Sequence, residues 1–141
     1  MTTVQEKSMK IENNGNAKIH LRPHHILCLS LFEGKGYNKK FIENIQSILD
    51  NFHNIQIISS ADDICKSCPN NVHGECSLGE EDVRLKDRNA CASLNLQPGD
   101  ISVESINLKL SMLSKMDFEA CCKTCRWYKA KVCRFENIKQ L

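Results

Sequence analysis

One spacing occurs twice in this chain and constrains it more than any other feature. Cys65-Lys66-Ser67-Cys68 is followed by seven residues and Cys76, and Cys122-Lys123-Thr124-Cys125 is followed by seven residues and Cys133. Two residues between thiols let one tight turn aim both sulfurs at a common centre, and a short loop returns a third sulfur to it. The chain has nine cysteines, an odd number, so complete internal disulfide pairing is excluded. Repeated triads in such a chain read as metal or cluster ligation, with the thiolate as the ligand.

Each triad supplies three donors, whereas a tetrahedral zinc ion or a cubane cluster wants four. The remaining donors are Cys28, Cys91, Cys121 and five histidines. Cys91 falls on the apolar face of an expected helix, and Cys121 adjoins Cys122, so both read as buried structural thiols. Cys28, in His24-His25-Ile26-Leu27-Cys28, is the best fourth ligand. His24 and His25 are further ligands or proton donors, since imidazole can replace thiolate at iron and titrates near neutrality. His73 gives Cys65-x2-Cys68-x4-His73-x2-Cys76, which departs from a zinc knuckle by two residues in its last spacer; Ala130 stands at the equivalent place in the second group. Arg22 reads as a partner for an anionic substrate, or equally for Asp62 or Asp63.

The frame around these motifs is ordinary. In 141 residues, 41% are hydrophobic and 26% charged, a globular balance. Residues 1–17 read as a flexible tail, and 18–141 as a single small domain. Pro23 opens a helix through Phe32 that Gly34-Lys35-Gly36 ends. Phe41, Ile42, Ile45, Ile48, Leu49 and Phe52 form one helical stripe with Asn38 as N-cap. Residues 54–59 predict a strand, 80–94 a helix, and Pro98-Gly99 a turn. A helix capped by Ser102 is favoured over 101–113, and Asp117 is expected to cap a short helix. The fold class is therefore α+β, predominantly α-helical, with two cysteine-rich metal-binding loops.

Met1 to Asn16 is polar and has no signal-peptide core, and no apolar run approaches the length of a membrane span. The chain reads as cytoplasmic, with no membrane partner. Its net charge is only +2, which makes nucleic acid an unlikely partner, although residues 109–141 carry eight Lys and Arg against three Asp and Glu.

Together, Leu21-Arg22-Pro23-His24-His25-Ile26-Leu27-Cys28 with Gly34-Lys35-Gly36-Tyr37, then Asp62-Asp63-Ile64-Cys65 with Cys76, then Cys122-x2-Cys125-Arg126-Trp127 with Cys133 resemble a known family. It is domain of unknown function family 1284, small bacterial and archaeal proteins described as iron–sulfur binding. The resemblance covers about residues 19–135 and implies iron–sulfur over zinc. It matches Cys28, Cys65, Cys76, Cys122, Cys125 and Cys133 to family positions; Cys68, Cys91 and Cys121 fall outside it, leaving one centre or two open. The expectation is one or two [4Fe-4S] clusters and a redox, electron-transfer or accessory role with another redox protein as partner. Two alternatives stand beside it. One is an enzyme with an open iron and His24 or His25 as acid or base; the other is a zinc-binding structural or nucleic-acid-binding module.

Overall fold

The computed structural model describes residues 18–72, 75–76, 79–123, 125–129 and 133–141. The expected tail, residues 1–17, and His73 lie outside the described residues.

The fold is α+β with helices in the majority. In chain order it runs β1 (Ile19–Leu21), α1 (Pro23–Leu31), α2 (Lys39–Asp50), β2 (Ile55–Ile57), a 3-10 turn (Cys65–Ser67), β3 (Asn71–Val72), β4 (Glu75–Cys76), α3 (Glu80–Leu94), β5 (Gly99–Ile101), α4 (Val103–Ser111), α5 (Lys115–Cys122), α6 (Arg126–Lys129) and a last 3-10 turn (Phe135–Asn137). No helix among the described residues is long and apolar enough to cross a membrane.

β1 and β2 pair in parallel, Ile19 opposite Ile55 and Leu21 opposite Ile57, while β5 adds to β2 antiparallel. Parallel neighbours need a long crossover, and α1 and α2 supply it. Leu21, Ile55 and Ile57 are buried and join the main core. β5 replaces part of the turn expected at 98–99: Gly99 turns the chain at φ +124 and also starts the strand.

α1 is the central helix. Pro23 sits in its first turn, and Ile26, Leu27, Leu29, Ser30 and Leu31 are all buried. A helix apolar nearly all round must be covered on several sides, and α3 packs along it. It stops at Leu31, ahead of the glycines. The C-terminal segment then closes its end, with Lys139 donating its backbone N–H to the Ser30 carbonyl at 3.0 Å and its ammonium to the Phe32 carbonyl at 2.8 Å.

α2 follows its stripe, with Phe41, Ile45 and Ile48 buried and the Asn38 side chain accepting from the Phe41 N–H at 2.8 Å. α3 spans the expected residues and ends on Asn95 in the left-handed conformation. Ser102 caps α4 as expected. α5 differs: Ser114, rather than Asp117, is the cap, its hydroxyl accepting from the Asp117 N–H at 3.1 Å. Asp117 instead stands in the first turn, where a carboxylate suits the positive end of the helix. The ring of Phe118 on α5 meets Tyr128 and Phe135 with centroids 5.9 and 5.8 Å apart, fixing the chain on either side of Cys133.

Candidate metal centre

Both cysteine repeats are closed by the same backbone hydrogen bond. The Cys68 N–H donates to the Cys65 carbonyl at 3.0 Å, and the Cys125 N–H donates to the Cys122 carbonyl at 2.8 Å. In the first repeat, β3 and β4 pair Asn71 with Cys76, which carries the third thiol back toward the turn. In the second, Cys125 leads into α6, its carbonyl accepting the Lys129 N–H at 3.0 Å.

The two repeats then meet. A cavity of about 170 Å³ is lined by Cys65, Cys68 and Cys76 from the first and by Cys125 and Cys133 from the second. Cys28 lines it too, with His24, His25, Leu31 and Phe32, because helical spacing puts these residues on one face of α1. Cys122 is half-buried beside this group and hydrogen-bonds the Cys121 thiol. Cys121 is buried in the core, as expected of a structural thiol, and none of Cys91, Cys121 and Cys122 lines the cavity. Cys91 is half-buried rather than buried. All nine cysteines are free thiols.

Five of the thiols act on one another. Burial, then the charges of Cys125, Cys133 and Cys121, push the Cys28 thiol well up. The hydrogen bond with Cys121, burial, and the charges of Cys121, Cys28 and Cys125 push Cys122 far up. Burial and Cys125 push Cys133 up to about 11. Lys86 on α3 answers this set: burial opposes its charge, but a bond to Asp82 and the fields of Cys125 and Cys28 hold it protonated. Thiols this high carry their protons near neutral pH, so a metal entering the site must displace them.

The other side of the cavity is ordered by a buried polar network that sequence reasoning only half found. Asp62 is its hub. One carboxylate oxygen accepts from the Arg22 N–H and from His25 Nδ1, both at 2.6 Å; the other accepts from the Ile64 and Cys65 N–H groups, both at 3.0 Å. Asp62 therefore shapes the cysteine turn and orients His25 at once. Burial opposes its charge, yet His25 and these donors hold its carboxyl well below the usual range. Burial and the Asp62 charge push Cys65 up to about 12.

Arg22 is fully buried. Its guanidinium pairs with Asp87 and Glu80 of α3, each at 2.9 Å, and not with the side chains of Asp62 or Asp63. Asp87 also accepts from His24 Nδ1 at 2.6 Å, and Glu80 accepts the Cys76 N–H at 3.0 Å. One cation thus positions a histidine and a cysteine together. Burial, then the neighbouring His25, lower the His24 pKa to about 4, so its ring is neutral at pH 7. Glu80 and Asp87 were absent from the sequence-level site. The one signal for them was Asp87 in the apolar stripe of α3 with Ala90 and Leu94, all three buried.

Three buried polar atoms find no partner among the described residues: Arg22 Nε, Asn70 Nδ2 and Asn71 Oδ1. All three residues line the cavity.

No curated protein and no solved structure matches the chain. Residues 36–133 match the family described as "Protein of unknown function (DUF1284)". The match begins after the segment that holds His24, His25 and Cys28, and it contains both cysteine triads. Spanning more than half of the chain, it shows that the protein belongs to that family of unknown function.

Proposed function

We propose that this protein holds a [4Fe-4S] cluster on Cys28, Cys122, Cys125 and Cys133, and works in electron transfer or as an accessory to a redox enzyme. The observation that carries this reading is the cavity where Cys28 of α1 meets Cys125 and Cys133 of the second repeat, residues up to 105 positions apart in the chain, with Cys122 joined to them by the repeat's own spacing. Four sulfurs are the complete donor set of a cubane.

Tetrahedral zinc, with Zn–S of about 2.3 Å, needs its sulfurs about 3.8 Å apart. Among the described residues, the one group of three or more donors lying within 4.8 Å of one another is His25, Asp62 and Cys65. No three of the four thiols meet that closely, so a single zinc ion would need them to move. Lys86 offsets part of the negative charge that four thiolates bring. The cluster, when bound, supplies one-electron chemistry, and the partner is another redox protein.

The test is cluster retention in Cys28→Ala beside Cys91→Ala, both purified anaerobically. The reading expects Cys28→Ala to lose the iron and sulfide of one cluster, roughly four of each, while Cys91→Ala keeps them. Equal retention in the two variants would overturn the four-cysteine assignment.

A further inference from the structure

The first triad still lacks a fourth donor. Resting on the iron–sulfur reading above, we propose that Cys65, Cys68 and Cys76 hold a second iron–sulfur centre whose fourth ligand is His25, through Nε2.

The argument is one of position and of remaining capacity. A His25 ring nitrogen lies within 4.8 Å of the Cys65 sulfur, and both residues line the cavity with Cys68 and Cys76. A carboxylate can only accept, so the 2.6 Å bond to Asp62 fixes the proton on Nδ1 and leaves Nε2 as the metal-binding nitrogen. This is the usual arrangement of a ligating histidine, oriented from behind by a carboxylate.

The nearby alternatives are committed elsewhere. Asp62 completes the close group of three, but four donors already occupy its two oxygens: the Arg22, Ile64 and Cys65 N–H groups and His25 itself. Cys28 is taken up by the four-cysteine cluster proposed above. His24 is drawn toward α3 by Asp87. The two centres then differ in kind, one bound by sulfur alone and one by three thiolates and an imidazole. Replacing thiolate by neutral imidazole removes a negative charge and raises the reduction potential.

The test is pulsed EPR of the full-length protein, purified anaerobically and reduced, with 15N-histidine labelling set against unlabelled protein. Iron and sulfide are assayed on the same samples. The proposal expects roughly eight irons and eight sulfides per chain. It also expects a histidine nitrogen coupling that His24→Gln and His73→Gln keep and His25→Cys abolishes while retaining iron. A bound cluster with no histidine coupling overturns it, as does a coupling that survives in His25→Cys or disappears in His73→Gln. These failures leave the four-cysteine cluster standing. Absence of iron and sulfide altogether overturns the underlying reading instead. The wild-type labelling experiment stands even where a variant does not fold.

Discussion

Replacing Arg22 by methionine is the sharpest perturbation of the scaffold. Methionine keeps much of the stem's packing and removes the cation. Two carboxylates are then stranded: Asp87, with 8% of its side chain exposed, and Glu80, with 16%. Breaking a buried ion pair from one side costs about 3–5 kcal/mol, because the remaining charge stays desolvated. Asp87 keeps His24 and Glu80 keeps the Cys76 N–H, so the middle of that range, about 4 kcal/mol, is expected. Against a total stability of about 5–15 kcal/mol, that is a large share. With an m-value of about 1.5 kcal/mol/M, the urea midpoint should fall by about 2–3 M. Adding Asp87→Asn removes one stranded charge, so the double variant should be more stable than the sum of the two single losses implies. A midpoint within about 0.5 M of wild type, or strict additivity in the double variant, would refute the reasoning.

Other consequences follow from packing. A Cβ on Gly36 would lie 2.6 Å from the Phe41 ring and 3.0 Å from Ile42, so Gly36→Ala should cost about 1–3 kcal/mol in urea unfolding. Gly34→Ala meets no atom and is strained only by its φ of +84, so its loss should be about 1 kcal/mol or less. Phe118→Ala opens the core beneath Tyr128 and Phe135, and should cost about 3–5 kcal/mol. It should also speed iron loss from the second triad more than an equally destabilising change in α2 does, measured as iron released to a chelator over time.

What could be read from the sequence follows from how local its cause is. The stripe of α2, the acidic first turn of α3 and the Ser102 and Asn38 caps depend on neighbours a few residues away, and all of them appear where expected. The strands β1, β3, β4 and β5 have two or three residues each, too few for a period to show. The cysteine repeat was plain, and Cys28, the fourth donor it points to, lines the same cavity. The network behind it was not. Arg22 reaches Glu80 and Asp87 across 58 and 65 residues, and no pattern along the chain marks which carboxylate a buried guanidinium will meet. The same holds for Asp62, whose place beside the first cysteine turn was visible but whose bond to His25 depends on β1 and α1 arriving next to it.

The central claim is that these cysteines hold iron and sulfide. Its most direct test is the amount of iron, acid-labile sulfide and zinc per chain in anaerobically purified protein, read with the visible spectrum. Iron and sulfide in equal amounts, roughly four of each for every occupied centre, with the broad visible absorption of a cluster and negligible zinc, is the predicted result. Colourless protein with stoichiometric zinc and no sulfide would contradict the account.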